Sequence, residues 1–400
     1  MVIEHLFYVE RFMFIEYANR VYKYCKENNI EGIKFFLFKK KIKENVKFCD
    51  IPDEELVSEE ELRNSTVINA YGNYFRFVNR FGKAFEYTRL HKISYGYGNE
   101  DQVIGSVTWT DPKRHANNST VAFLGLSPYE CWCYHTSKHK LPSYDIGMIK
   151  LDNSIKTDFD EEIKRIETAT KYDKTKPTIL FLHTYDKSDE LDNRYYEGIS
   201  DYAATAKFLE KYIDRYNIIH KNHYYTDRKF RKFINTWVGL CDSKFLLELA
   251  DVVIADYGGS AIEALLSDKK ILYINDERHS EINAVTNIDA KVHNIFTSCT
   301  ASELPDMFDN FLNTPVSDEE MKTRIELRDY LFKNAGNSIK NFVDYVFGRL
   351  KPFDVEKFLN DPVTKKYGFD WKWSDFPGLE VKLEDRFKSL RKKVVKNEDW

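Results

Sequence analysis

The sequence predicts an α/β protein whose C-terminal half contains a parallel, doubly wound sheet. Three short apolar runs carry this prediction, at residues 178–182, 252–255 and 270–274. Continuous apolar runs are typical of strands that are covered by helices on both faces, as in parallel sheets. Helical segments are predicted before and after the run at 252–255, at about 245–249 and 260–266. This alternation of strands and helices favours βαβ units.

The remaining elements follow from shorter signals along the chain. An amphipathic helix is predicted at about 8–28, and further strands at 33–38, 66–70, 121–126 and 216–219. Other helices are predicted at about 75–87 and 201–215. Ser317 and Glu320 have the spacing of a capping box, which starts a helix that runs to about residue 332. A last helix is expected after Gly336.

Length and composition indicate a globular protein of about two domains. The chain has 400 residues, of which 42% are hydrophobic and 31% charged, so a large core is expected and disorder is not. We expect an N-terminal domain at 1–150, a nucleotide-binding domain at 151–350 and a helical tail at 351–400. The net charge of −4 gives no electrostatic reason to expect nucleic acid as a partner.

The cysteines and the N-terminus favour a cytoplasmic protein without a metal centre. The six cysteines are scattered, and the one close pair, Cys131 and Cys133, lacks the spacing of a zinc site. The apolar stretch at 6–25 is interrupted by charged residues, among them Glu10, Arg11, Glu16 and Arg20, so neither a signal peptide nor a membrane span is predicted. Short lysine-rich stretches, such as 39–43, leave a peripheral contact with the inner membrane face as a minority interpretation.

The segment at 249–265 carries the clearest chemical signal. A predicted strand ends at Asp256, and Gly258, Gly259 and Ser260 then open a helix. Glycine lets the backbone approach a ligand closely, and a helix N-terminus presents unpaired N–H groups and partial positive charge. The pattern therefore predicts a phosphate site. A plain tight turn with Ser260 as the N-cap is the alternative.

Polar residues also follow two neighbouring strands of the same predicted sheet. Lys221 and His223 come after the strand at 216–219, and Thr184 comes after the strand at 178–182. The carboxyl ends of parallel strands meet at one edge, where open α/β sheets bind their ligands. We therefore expect these side chains and the Gly258–Ser260 turn to line one crevice.

Residues 177–347 resemble the C-terminal half of the CDP-glycerol glycerophosphotransferases of teichoic-acid and capsule synthesis. Asp256-Tyr257-Gly258-Gly259 with Glu263 stands where that family has Asp-Tyr-Ser-Ser and a later acidic residue. Lys221-Asn222-His223-Tyr224 is similar to its Lys-Pro-His-Pro, and Leu182-His183-Thr184 to its Ala-Pro-Thr. Gly147 and Asp152 resemble its Gly-x-Pro-x-x-Asp, and His91-Lys92 stands where it has a catalytic His-Gly loop.

The resemblance implies a GT-B fold, with two Rossmann-like domains and a donor cleft between them. It also implies that Lys221 and His223 bind the donor phosphates, with His223 counted among the catalytic residues together with His91. His91 would be the general base that deprotonates the acceptor hydroxyl. Glu263 would hold a ribose or sugar hydroxyl, and Tyr257 would pack on the nucleotide base.

The predicted function is therefore group transfer from a nucleotide-activated donor, with CDP or CMP as the favoured nucleotide and no other cofactor. The acceptor would be a hydroxyl of a cell-surface glycan or of its lipid-linked precursor. Three alternatives stay open: a UDP- or GDP-sugar glycosyltransferase, an inactive nucleotide-binding module of a capsule-assembly complex, and a UDP-N-acetylglucosamine 2-epimerase. The last rests on Gly258-Gly259 with Glu263 and on the segment at 277–281, which are similar to motifs of that enzyme.

Overall fold

A computed structural model describes most, but not all, of the chain. The described residues are 3–9, 14–37, 49–62, 65–71, 89–94, 120–136, 141–152, 164, 166, 168, 172–183, 200–221, 243–256, 259–275 and 293–375. They form two compact units. The first unit takes the described residues up to 94, those from 120 to 152 and those from 330 onwards, and the second takes those from 164 to 329.

The first unit contains a six-stranded parallel sheet. Its strands have the order β2-β1-β3-β4-β5-β6. They are β1 (Ile3–Val9), β2 (Ile33–Leu37), β3 (Ser65–Tyr71), β4 (Arg89–Ile93), β5 (Thr120–Gly125) and β6 (Ser143–Asp145). The strands predicted at 33–38, 66–70 and 121–126 are confirmed to within about one residue at each end.

The N-terminal segment differs from the prediction of one helix at about 8–28. It forms strand β1 and then helix α1, which spans Ile15–Glu27. β1 is hydrogen-bonded to β2 on one side and to β3 on the other, and these long-range pairs outweigh the local helical pattern. α1 buries Ala18, Val21 and Cys25, which share one face at helical spacing.

Two further α-helices lie in the described residues of the N-terminal part of this unit. They are α2 (Glu59–Leu62) and α3 (Pro128–Thr136). The helix predicted at 75–87 lies outside the described residues. α3 starts after Ser127, whose hydroxyl accepts a hydrogen bond from the amide of Glu130 at 3.3 Å, as an N-cap does.

The second unit contains a five-stranded parallel sheet. Its strands have the order β11-β10-β9-β7-β8. They are β7 (Thr178–Leu182), β8 (Asn217–Lys221), β9 (Val252–Ala255), β10 (Lys270–Ile274) and β11 (Thr297–Cys299). Counted from its own first strand, this order is 2-1-3-4-5, the same as that of the first five strands of the other unit. Both are therefore doubly wound, Rossmann-like sheets whose order reverses between the first and third strands.

Five helices accompany the second sheet in the part of the unit that the structure describes. They are α4 (Ser200–Leu209), α5 (Ser243–Leu249), α6 (Gly259–Ala264), α7 (Leu304–Asn313) and α8 (Asp318–Leu331). Phe181, Ile254, Leu209 and Phe308 belong to the core on the face covered by α4 and α7. The predicted cap of α8 is half confirmed. The Ser317 hydroxyl accepts from the amide of Glu320 at 3.1 Å, whereas the Glu320 carboxylate pairs with Arg324.

The C-terminal helices belong to the first unit rather than to the nucleotide-binding domain predicted at 151–350 or to a separate tail. They are α9 (Ser338–Val346), α10 (Val355–Asn360) and α11 (Pro362–Tyr367). Phe342 and Val343 of α9 lie in the same buried cluster as Phe7 of β1. The indole N–H of Trp132 donates to the carbonyl of Trp371 at 2.6 Å. Apolar burial against the N-terminal sheet thus brings the chain back to the first unit.

The segment from Gly147 to Asp152 anchors the start of α9. The carboxylate of Asp152, which is 2% exposed, accepts a 2.6 Å hydrogen bond from the amide of Ile339 in the first turn of α9. A carboxylate at this position satisfies one unpaired helix N–H and is favoured by the helix dipole. Gly147 has φ +84°, and an added Cβ would lie 2.6 Å from Cβ of Asn334. The motif is thus explained by the packing of one helix.

Gly147→Ala is expected to destabilise the first unit by more than Gly336→Ala does. Both glycines have positive φ, which costs another residue about 1–2 kcal/mol. Nothing lies within 4 Å of a Cβ at Gly336, whereas one at Gly147 must displace Asn334 or Ser338. Such overpacking costs about 1–3 kcal/mol more. Urea unfolding of the two variants measures the difference, and equal losses would contradict the close packing at Gly147.

Candidate functional site

The carboxyl ends of three strands lie side by side in the second unit. Leu182, the last residue of β7, pairs with Lys221 of β8 on one side and with Ala255 of β9 on the other. Beyond the strands, the amide of Asp256 donates to the carbonyl of Leu182 at 3.3 Å. Adjacent strands are about 4.8 Å apart, so the backbones of Lys221 and Ala255 are separated by about 10 Å. These three strand ends therefore lie together at one edge of the sheet.

This edge includes the point at which the strand order reverses, between β7 and β9. Ligands of doubly wound sheets bind outside the carboxyl ends of the strands at such a point. Gly259 and Ser260 are the first two residues of α6, which starts one residue before the predicted position at about 260. Four of the predicted site residues lie outside the described residues, namely Thr184, His223, Tyr257 and Gly258.

Lys221 is the last residue of β8. The strand thus ends two residues later than predicted, and Lys221 belongs to it instead of following it. The side chain is partly exposed. Within the part of the chain that the structure describes, its ammonium group has neither an ion-pair nor a hydrogen-bond partner. A lysine at this edge can therefore give its charge and its N–H donors to an anion.

Glu263 lies in α6 and is partly buried. Its carboxylate accepts a short hydrogen bond from the hydroxyl of Ser243, the first residue of α5. This contact ties α5 to α6 and occupies one carboxylate oxygen. Glu263 consequently has a structural partner besides the predicted role of holding a ribose or sugar hydroxyl.

Two buried histidines at the same edge were not among the predicted site residues. His220 stacks on Phe181 with ring centroids 5.1 Å apart, and the rings of His220 and His183 are 4.3 Å apart. Burial, together with the neighbouring His183, holds the pKa of His220 well below its usual value, so His220 is neutral near pH 7. A sequence signal for these histidines exists: His220 lies within an apolar strand and His183 directly follows one.

His91 lies in the first unit, in the middle of strand β4 rather than in a loop. The pairing of β4 with β5 shifts at this residue: Leu90 pairs with Thr120, whereas His91 pairs with Ala122. Such an irregularity re-aims a side chain and is frequent beside active sites. Nδ1 of His91 lies 3.3 Å from Oδ1 of Asn69 and 2.9 Å from the hydroxyl of Tyr345. Both contacts are to the same ring nitrogen, and the side chain is partly exposed.

A buried carboxylate holds the carboxyl ends of β4 and β5 together. Glu130, 7% exposed, accepts hydrogen bonds from the hydroxyl of Ser94 at 2.5 Å and from the amide of Leu126 at 2.6 Å. A third donor is the hydroxyl of Tyr134, at 3.5 Å. No sequence motif marks this network, because its members are up to 40 residues apart along the chain. Because Glu130 is well satisfied by protein donors, the network mainly orders the edge of the sheet.

The described residues hold neither a metal-ligand cluster nor a membrane-spanning helix. Within the described ranges, no cluster of histidine, cysteine and carboxylate side chains is arranged for a metal ion. Every helix described in the structure is too short or too polar to traverse a lipid bilayer. The described cysteines are free thiols.

Comparisons with known proteins identify the fold. No known protein family and no curated protein sequence matches this chain. Among solved structures, the wall teichoic acid polymerase TagF is similar with a TM-score of 0.58 at 12% identity, covering 86% of this chain and 89% of TagF. A Listeria monocytogenes protein described as a UDP-N-acetylglucosamine 2-epimerase gives 0.51 at 12% identity, covering 89% and 100%.

A third similar structure is that of S. aureus MnaA with UDP, with a TM-score of 0.51 at 10% identity over 87% of this chain and 98% of MnaA. Together with the two parallel sheets, these likenesses confirm the predicted α/β class: the chain has a GT-B-like fold built from two Rossmann-like domains. Fold alone does not fix function, which depends on the residues of the site.

Proposed function

We propose that this protein is a GT-B-type transferase that takes a glycerol-phosphate or sugar group from a nucleotide-activated donor. CDP or CMP is the favoured nucleotide, and the acceptor is a hydroxyl of a cell-surface glycan or of its lipid-linked precursor. The observation that carries the proposal is the alignment of Lys221, Leu182 and Ala255 at one sheet edge. The proposal includes a cytoplasmic location and no cofactor other than the donor.

The donor phosphates would bind to the start of α6 and to Lys221. The first amides of a helix have no intrahelical acceptor, and they favour an anion there. A phosphate bound by these amides gains charge-assisted hydrogen bonds from a lysine. When the donor bond breaks, negative charge grows on the departing nucleotide phosphate, and fixed donors stabilise that charge. A structure of TagF soaked with CDPG, similar to this chain with a TM-score of 0.55, supports a nucleotide-linked donor as the substrate class.

His91 would activate the acceptor. Histidine is a common general base, because the unperturbed imidazole changes its charge close to physiological pH. A general base is held in a defined orientation by a further group, and here Asn69 and Tyr345 contact the same ring nitrogen. The shifted pairing at His91 also supports a role beyond packing.

An epimerase is the second candidate, because two of the similar structures carry that description or contain UDP. The two functions differ in product. A transferase releases the nucleotide and modifies an acceptor, whereas an epimerase returns a sugar still linked to UDP. Chromatography of the products from UDP-N-acetylglucosamine, with and without a glycan acceptor, separates them.

Lys221→Met is expected to raise the Kd of the bound nucleotide by about 10- to 100-fold, because one charge-assisted hydrogen bond is lost. Lys176→Met is the matched control. It removes the same charge at the opposite end of β7, where the Lys176 ammonium donates to the carbonyl of Ile213 at 3.2 Å. Isothermal titration calorimetry with CDP or UDP measures both. Equal Kd values for the two variants would exclude Lys221 from the donor site.

A further inference from the structure

The side-chain amide of Asn69 has a defined orientation inside the first sheet. Asn69 lies on β3, is fully buried, and donates from Nδ2 to the carbonyl of Leu6 at 3.3 Å. Rotating the amide by 180° would place its oxygen against that carbonyl oxygen and leave both without a hydrogen. Oδ1 therefore faces the other way, where it lies 3.3 Å from Nδ1 of His91.

Tyr345, which lies on α9, contacts the same nitrogen of His91. Its hydroxyl lies 2.9 Å from Nδ1 of His91, and the two rings meet edge to face at 5.3 Å. Tyr144 packs edge-on against Tyr345 at 4.6 Å, which limits the movement of the phenol. Burial raises the pKa of Tyr345, so the phenol stays protonated and its oxygen can accept as well as donate.

The contact with Asn69 favours one of the two neutral tautomers of His91. Oδ1 of an amide can only accept a hydrogen bond, so the contact with Asn69 is favourable only when Nδ1 of His91 is protonated. The Tyr345 oxygen can accept from the same N–H or turn its hydrogen elsewhere. In neutral His91 the lone pair is then on Nε2. In water, histidine prefers the opposite tautomer, with the proton on Nε2.

We propose that Asn69 and Tyr345 are positioning residues that hold neutral His91 in the Nδ1-protonated tautomer and so make Nε2 its proton-accepting atom. The role of Nε2 in catalysis rests on the proposed function, whereas the tautomer itself does not. Asn69 selects the tautomer, and Tyr345 fixes the plane of the ring. The acceptor hydroxyl gives its proton to Nε2, and its oxygen attacks the donor while the nucleotide leaves with the bonding electron pair.

The tautomer can be measured without any substrate. In protein labelled with 15N-histidine, long-range 1H–15N spectra at about pH 8, above the ordinary histidine pKa, report each ring nitrogen as protonated or bare. The His91→Gln variant identifies the His91 signals by their loss. We expect Nδ1 to be protonated and Nε2 bare. A wild-type spectrum with the proton on Nε2 would overturn the proposal.

Two variants of Asn69 test the cause. Asn69→Leu removes the acceptor at nearly constant volume and is expected to move the proton to Nε2 and to lower kcat at least about tenfold with little change in KM. Asn69→Asp keeps an acceptor and is expected to retain the Nδ1-protonated form of His91. This second variant keeps the test available if Asn69→Leu does not fold. An unchanged tautomer in a folded Asn69→Leu protein would contradict the role of Asn69.

The same spectra separate this inference from the proposed function. If wild type shows the expected tautomer and Asn69→Leu changes it, but His91→Gln transfers the donor group at the normal rate, the positioning is correct and the base assignment is wrong. Tyr345→Phe is expected to keep the tautomer, because Asn69 remains, and to lower kcat through a less fixed ring. A shift of the proton in Tyr345→Phe alone would assign tautomer selection to the tyrosine instead.

Discussion

Replacing His91 with glutamine is expected to lower kcat for group transfer by about 10²–10⁴-fold, the usual contribution of a positioned general base. Glutamine can still donate to Asn69, but it cannot accept a proton near pH 7. Nucleotide affinity is expected to stay within about twofold of wild type, because the proposed phosphate-binding residues lie in the other unit. A coupled assay for nucleotide release measures kcat, and calorimetry measures affinity.

His5→Gln is the matched control for this experiment. His5 is a partly buried histidine of the same sheet, in strand β1, and burial lowers its pKa below the ordinary value. It is not part of the proposed chemistry, so its replacement is expected to leave kcat within about twofold of wild type. Normal turnover in His91→Gln, or an equal loss in both variants, would contradict the base assignment.

Arg324→Met is expected to destabilise the second unit by about 3–5 kcal/mol, as happens when one partner of a buried charged network is removed. Arg324 is the largest fully buried side chain among the described residues, at 1% exposure. Its guanidinium donates to the carbonyls of Ser267 at 2.5 Å and Lys269 at 2.8 Å and lies 3.5 Å from Glu320. Methionine fills the space but leaves both carbonyls and the Glu320 carboxylate without this donor.

Arg328→Met is the comparison one turn further along α8. Arg328 pairs with Asp268 at 2.6 Å, but the Asp268 side chain is 70% exposed. Surface ion pairs contribute roughly 0–1 kcal/mol, so this variant is expected to unfold at nearly the same urea concentration as wild type. Similar midpoints for the two variants would show that burial of Arg324 does not matter to stability.

The sequence predicted the second sheet well because its signal is local. The runs at 178–182, 252–255 and 270–274 are apolar throughout, and the observed strands coincide with them to the residue. β1 escaped prediction, since its apolar residues run into the amphipathic pattern of α1 and only pairing with β2 and β3 separates the two elements. The domain boundary near residue 350 differed for the same reason, because α9 packs on β1 from more than 300 residues away.

The candidate site was predictable only where its residues carry a local sequence signal. Glycines after a strand and a lysine near a strand end can be recognised in the sequence. In the structure, Lys221 is the last residue of β8, and Gly259 starts the helix that follows β9. The partners of His91 were not visible, because Tyr345 lies 254 residues away and Asn69 carries no motif. The contact of Glu263 with Ser243 was missed likewise, as it depends on how two short helices pack.

A thermal-shift screen of CDP, CMP, UDP and GDP, with free glycerol phosphate as the non-nucleotide reference, tests the central claim most directly. A ligand present at 100 times its Kd stabilises the folded protein by about 2.7 kcal/mol. We expect one nucleotide, CDP or CMP, to raise Tm clearly, and Lys221→Met to reduce that shift while Lys176→Met does not. If no nucleotide raises Tm of the wild-type protein, or if Lys221→Met leaves the shift intact, the donor site is not at this sheet edge.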